Sequence, residues 1–388
     1  MQYSFSKRTM VQTSATAEIS ALAQQKKKNG ETVYDLGIGE PVIAVDQRII
    51  SAVTDAMKQG RTGYPPAAGY ASLRESVSSW HNRIAGSSFS AAESLITPGG
   101  KMALYMLLQA LLGPGDEIVV CSPYWVSYPT MAALAGGQVR EVRTSGEDGW
   151  KVVPEQLEAA ISERTRAVVF NNGANPTGAL YNSKELYALI RKVHDRGIVF
   201  ISDEVYSGLV YDGSTFSSAA SFPEFSETVV IVQSFSKHFA MTGLRVGMVF
   251  ADQQIIRHLT ALQSQTTSGA ASISQAAAEA ALKDADEISE HVRSTIEKRR
   301  NHLYLELNRL FKAELTRPAA GLYAFVPAST FAAKYGSDTG LAMRMIDQAR
   351  TAVVPGSAFG APGYIRISFG IPEPEISAGL EAIHQALS

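Results

Sequence analysis

Lys237 closes the run Gln233-Ser234-Phe235-Ser236-Lys237, directly behind the apolar stretch Val229–Val232, and Arg245 follows closely. A lysine amine becomes a reagent when its surroundings strip its charge: it then condenses with an aldehyde or takes a proton from carbon. Ser234 and Ser236 offer hydroxyls and Arg245 a rigid fork of N–H donors, a set that suits a phosphate dianion. Asp203 and Tyr206 follow the preceding apolar run, Val199–Ser202. Asn175, in Asn175-Pro176-Thr177-Gly178, follows the run before that, Ala167–Phe170. An isolated Ser-Lys pair is most often a solvated loop. What singles out this one is that a carboxylate, a phenol and an amide arrive from the ends of neighbouring strand candidates.

For these groups to meet, the strands must lie side by side with their carboxyl ends together. Seven strand candidates, Leu95–Thr97, Ile118–Ser122, Val139–Arg143, Ala167–Asn171, Val199–Asp203, Val229–Gln233 and Val246–Ala251, are separated by helical stretches. This alternation predicts an α/β fold whose large domain holds a mostly parallel seven-stranded sheet covered on both faces by helices. Ligands of such sheets bind beyond the carboxyl ends of the strands. The stretch Met102–Leu112, opened by Gly99-Gly100-Lys101 and ended by Gly113-Pro114-Gly115, predicts a helix. Backbone amides at Gly100 and Lys101 would then point at an anion. Ser274–Lys283 begins a helical region running on through Glu287–Phe311, without internal Gly or Pro, which reads as a connector leaving the large domain. Beyond it, Gly321-Leu322-Tyr323-Ala324-Phe325 and Tyr364–Phe369 read as strands of a smaller domain. The second alternates apolar and polar residues, as a half-buried strand does, and carries Arg366.

The motifs Gly39-Glu40-Pro41, Tyr64, Thr97-Pro98-Gly99-Gly100-Lys101, Ser122-Pro123-Tyr124-Trp125, Asn175-Pro176-Thr177-Gly178, Asp203-Glu204-Val205-Tyr206, Ser234-Phe235-Ser236-Lys237, Gly243-Leu244-Arg245-Val246-Gly247 and Arg366-Ile367-Ser368-Phe369 run nearly end to end. In order and spacing the chain resembles the class I aminotransferases of the pyridoxal-phosphate-dependent fold-type I family, close to the aspartate aminotransferase group. The resemblance implies pyridoxal 5'-phosphate as cofactor. Lys237 would hold its aldehyde as a Schiff base and later carry the proton, and Asp203 would keep the pyridine nitrogen protonated. Tyr206 and Asn175 would bond the ring hydroxyl oxygen, Trp125 would stack on the ring, and Gly100, Lys101, Ser234, Ser236 and Arg245 would surround the phosphate. Arg366 would clamp the substrate α-carboxylate, with Gly39 lending an amide beside Trp125 and Asn175. The family pattern also implies a small α+β domain formed from both chain ends, residues 1–43 and 290–388, around a large cofactor-binding domain at 44–289. Tyr64, on the turn Gly63-Tyr64-Pro65-Pro66, would reach the neighbouring subunit's phosphate, so the protein is expected to be a homodimer with shared active sites. Val42-Ile43, Gly173-Ala174 and Gly269 depart from the common pattern and leave the side-chain pocket open. Lys101 is compatible with the distal carboxylate of an acidic substrate and equally with the phosphate region.

The 388 residues are too many for one ordinary core. With 35 basic and 37 acidic residues the net charge of −2 is too balanced for charge-driven nucleic-acid binding. One cysteine, Cys121, forbids an intramolecular disulfide and suits a reducing compartment; the seven histidines are scattered without metal-ligand spacing. Met1 to Gln12 contains Lys7 and Arg8 but no apolar core, so neither signal peptide nor membrane span is expected and the cytoplasm is the expected location. Three functions are open at this point. The first is ping-pong transfer of an amino group from an amino acid to a 2-oxoacid such as 2-oxoglutarate. The second is a cofactor-dependent elimination of the carbon-sulfur lyase type. The third is a non-catalytic ligand sensor, disfavoured because no helix-turn-helix segment precedes Gln24.

Overall fold

The computed structural model describes residues 3–11, 13 and 15–387. Met1 and Gln12, the ends of the stretch read above for a signal peptide, lie outside the described residues. The strands among them are β1 (Tyr34–Asp35), β2 (Ser94–Thr97), β3 (Glu117–Ser122), β4 (Gln138–Arg143), β5 (Thr165–Asn171) and β6 (Val199–Asp203). They continue with β7 (Val229–Ser234), β8 (Gly247–Phe250), β9 (Tyr323–Pro327), β10 (Thr351–Ala352), β11 (Val354–Pro355) and β12 (Tyr364–Ser368). Strands β2 to β8 form the expected seven-stranded sheet, in the order β2-β8-β7-β6-β5-β3-β4. Its pairs are parallel except those of β8, which runs antiparallel to both β2 and β7.

Alternate residues of the central strands enter two separate cores. Ile118, Val120, Val169, Ile201, Val230 and Val232 pack on one face with helix Gly100–Leu111, while Val119, Val168, Phe200, Val229 and Ile231 pack on the other with helix Ser183–His194. Burial on both faces is why these strands are uninterrupted apolar runs.

A second, three-stranded sheet has the order β11-β12-β9, and β1 pairs in parallel with β10, so residues from near the two chain ends lie together. Its core gathers Leu303, Val326, Ile365, Ile367 and Ile376 with Tyr206, Leu209 and Tyr211 from the segment behind β6.

Two expectations change. The helical connector is two helices, Ser272–Lys283 and Ala285–Phe311, parted at Asp284, whose φ of −123° and ψ of 37° leave the helical region. Asp284 and Glu287 both approach Nη1 of Arg48, at 3.4 and 2.9 Å, so the break is held against helix Gln47–Lys58. Tyr364–Ser368 is not half-buried: Arg366 is 2 % exposed, because β12 is the central strand of its sheet and Arg366 turns into a cleft that the ends of β6 and β7 also line. No helix among the described residues is long and apolar enough to cross a membrane.

Candidate active site

A cavity of about 550 Å³ opens where β5, β6 and β7 end. Gly39, Gly100, Lys101, Trp125, Asn175, Asp203, Tyr206, Ser234, Ser236, Lys237, Arg245 and Arg366 all line it. Tyr64 does not: it is 93 % exposed.

Lys237 sits on the short helix Phe235–His238, whose cap Ser234 accepts the Ser236 amide at 3.1 Å. Its Nζ donates to the Gly39 carbonyl, and burial pushes its pKa below the usual lysine range. That is the condition under which an amine acts as nucleophile or base. Asp203, at the end of β6, accepts the Tyr128 hydroxyl at 2.6 Å on Oδ2 and the Val205 amide at 3.3 Å on Oδ1. Burial pushes the carboxyl up to about 6, with Tyr128 and Val205 pulling the other way. A carboxylate so desolvated is stabilised by a cation at its open side, such as a protonated ring nitrogen. Asn171, at the end of β5, ties the strand ends together: its amide donates to the Asp203 carbonyl at 2.8 Å and its oxygen accepts the Asn175 N–H at 2.9 Å.

The anion end lies where Thr97, Gly247 and Ser234 stand in register across β2, β8 and β7. Helix Gly100–Leu111 starts here, and its first amides have no intrahelical acceptor. Gly99 has φ +86°, and a Cβ there would stand 2.4 Å from Nη2 of Arg245. Arg245 itself is left-handed, with φ 54°, a strained choice for a residue with a side chain. Nη1 donates to the Thr242 carbonyl at 2.7 Å, and Arg245 has no ion pair among the described residues. Two serines, open amides and an unpaired arginine fit a phosphate.

Arg366 donates to Asn175 Oδ1 at 3.2 Å and to the Gly37 carbonyl at 2.8 Å, and lies 4.0 Å from the centroid of the Tyr323 ring. Its Nε has no partner, and no carboxylate lies within ion-pair distance among the described residues. Burial lowers its pKa. Lys101 Nζ lies 4.9 Å from the Trp125 ring, and Trp125 meets Tyr128 edge-on.

The sequence reading named twelve of these lining residues but missed Tyr128, Asn171 and Tyr323. Tyr128 is one more aromatic in an apolar helix, Ser127–Leu134, and nothing in its local pattern points to Asp203. Asn171 ended a strand candidate, a position that could have been a clue. Tyr323 lay in a segment read only as a strand.

Comparison with known proteins supplies the remaining step. The family described as "Aminotransferase class I and II" matches residues 31–383. An aspartate aminotransferase of Geobacillus stearothermophilus is 37 % identical over 375 residues, 96 % of this chain and 95 % of that protein. An aspartate/prephenate aminotransferase of Thermus thermophilus is 36 % identical over 376 residues, 96 % of each chain. Among solved structures, the aspartate aminotransferase from Thermus thermophilus with maleate superimposes with a TM-score of 0.94 at 35 % identity, covering 100 % of both chains. An aromatic aminotransferase from Pyrococcus horikoshii gives 0.87 at 32 %, covering 94 % of this chain and 98 % of that one. A buried amine, a desolvated carboxylate, an anion cradle and an unpaired arginine thus sit in a fold shared along its whole length with such enzymes, and this protein belongs to the class I and II aminotransferase family of pyridoxal-phosphate-dependent transferases.

Proposed function

We propose that this aminotransferase binds pyridoxal phosphate on Lys237 and moves the α-amino group of an acidic amino acid, such as aspartate, to a 2-oxoacid such as 2-oxoglutarate by a ping-pong mechanism. The observation that carries the reading is Arg366: a buried guanidinium with an unpartnered Nε and no carboxylate of its own is built to receive one from outside. Its bonds to Asn175 and Gly37 fix the plane in which an incoming α-carboxylate docks. Pyridoxal phosphate, when bound, supplies an aldehyde for an amine and a ring that takes up the electron pair left on Cα.

This chain's residues do the rest. Lys237, whose pKa burial pushes below the usual lysine range, takes the proton from Cα and returns it. Asp203, braced by Tyr128, holds a proton on the ring nitrogen. Ser234, Ser236, Arg245 and the amides of Gly100 and Lys101 hold the phosphate. Tyr206 and Asn175, which line the same cleft, would hydrogen-bond the ring oxygen, and Trp125 walls the cleft. The acidic preference draws support from the Lys101 cation inside the cleft and from relatives named for aspartate. The exposure of Tyr64 supports a homodimer in which it completes the partner's phosphate site. The pairing of β1 with β10 supports a division into 44–289 and 1–43 with 290–388.

Incubation with pyridoxal phosphate, borohydride reduction and peptide mapping is expected to place a pyridoxyl label on Lys237. A label elsewhere, or none, overturns the reading.

A further inference from the structure

Tyr323 opens β9 opposite Ser368 of β12, and its ring is the platform under Arg366. A phenylalanine would serve that purpose equally, since a cation–π contact needs a ring and no hydroxyl. The Tyr323 hydroxyl, however, is placed where chemistry converges. It lies 3.3 Å from the hydroxyl of Tyr206, and a Cβ built on Gly39 would stand 3.4 Å from it. Gly39 is the residue whose carbonyl takes the hydrogen bond of Lys237. Tyr323 is 2 % exposed and Tyr206 5 %, so the pair is sheltered from water except through the cleft that both line.

The charged and titratable groups facing the pair come from every element around it: Arg366 on β12, Lys237 on the short helix, Glu40 on the loop behind β1, Asp203 on β6 and Tyr128 on its helix. Burial raises the Tyr323 phenol, but the cations Arg366 and Lys237 pull the other way and it lies below the usual value, against Glu40. Burial holds Tyr206 well above the usual value. Either hydroxyl can donate across this contact, and a third group decides: once the Tyr206 proton is given to an acceptor in the cleft, the Tyr206 oxygen is left to accept from Tyr323.

We propose that Tyr323 is a positioning residue for the proton of Tyr206: its hydroxyl donates to the Tyr206 oxygen, so that Tyr206 turns its own proton into the cleft, toward the ring oxygen of the bound cofactor. The inference rests on the aminotransferase reading above. Each phenol keeps one proton and both hydrogen bonds run the same way. A hydroxyl that already accepts a hydrogen bond is a stronger donor. The ring oxygen is therefore held more firmly as an anion, and the nitrogen linking Lys237 to the cofactor gives up its proton at lower pH.

The test is a spectrophotometric pH titration of the cofactor-loaded protein, followed at the absorption of the lysine-linked cofactor. It compares the native protein with Tyr323→Phe, Tyr206→Phe and the double variant. Tyr323→Phe keeps the ring under Arg366 and is expected to raise the midpoint by about half a pH unit, the scale of one neutral hydrogen bond. In the Tyr206→Phe background the same substitution is expected to leave the midpoint where it is. A midpoint unmoved by Tyr323→Phe, or a shift that persists without the Tyr206 hydroxyl, overturns the proposal alone. Failure of the native protein to develop the absorption at all overturns the aminotransferase reading and the proposal with it.

Discussion

Lys101 enters the cleft from the first turn of helix Gly100–Leu111, with no ion pair among the described residues. Burial, helped by the charge of Arg245, pushes its pKa down, so an anion brought close to it is stabilising. If that anion is the distal carboxylate of the substrate, Lys101→Ala should lower kcat/KM for aspartate by about 10- to 100-fold while changing that for a neutral donor of similar size less than about threefold. Equal losses with both donors would assign Lys101 to the phosphate end instead. Lys237, Asp203, Arg245 and Arg366 were legible in the sequence because each stands in a motif with its own spacing and punctuation. Tyr128 and Tyr323 were not, because a phenol acquires its role from what packs against it, and their partners Asp203 and Tyr206 are distant in sequence.

Among the elements, β8 carries the anion site as much as the residues that touch it. It lies between β2 and β7, and a Cβ on Gly247 would come within 2.5 Å of the Gly100 amide nitrogen and of the Gly99 carbonyl carbon. Both obstacles are backbone, which cannot swing aside as a side chain would. Gly247→Ala is therefore expected to displace the start of helix Gly100–Leu111, weakening cofactor affinity about tenfold or more and costing about 1–3 kcal/mol of stability. Fluorescence titration and calorimetry check both, and cofactor binding at native strength would show that the cradle tolerates the methyl group. All seven strands of this sheet were legible, six because apolar runs buried on both faces leave little alternative, and the largely exposed edge strand β4 only from its place between helical stretches. The break at Asp284 was not: no Gly or Pro marks it, and it depends on Arg48, far away in the chain.

For the molecule as a whole, buried titratable groups oppose one another. Burial pushes Asp203 up to about 6 and Glu204 up to about 7, while burial pushes His81 down to about 3 and His238 down to about 4. A raised carboxyl makes the folded chain bind more protons than the unfolded one, so its contribution to stability is lost as pH rises; the lowered imidazoles act in the reverse sense. Glu204 keeps Oε1 bonded to Ser202 and Ala219, at 2.9 and 2.8 Å, but Oε2 has no partner. In cofactor-free protein, the Tm of Glu204→Gln relative to the native chain is expected to shift in the variant's favour as pH rises from 4.5 toward about 7. A difference that stays constant across this window would mean that Glu204 does not ionise there. The overall architecture was legible from alternation alone, whereas the way the amino-terminal segment enters the cleft was not, because Gly37 and Gly39 act through carbonyls that any residue possesses. The pairing of β1 with β10 also has a consequence for synthesis. On the ribosome Tyr34–Asp35 waits unpaired until Thr351–Ala352 emerges, and Arg366 follows later still. Lys237 is made long before Arg366, so a nascent chain lacks the buried guanidinium of its cleft until β12 has emerged.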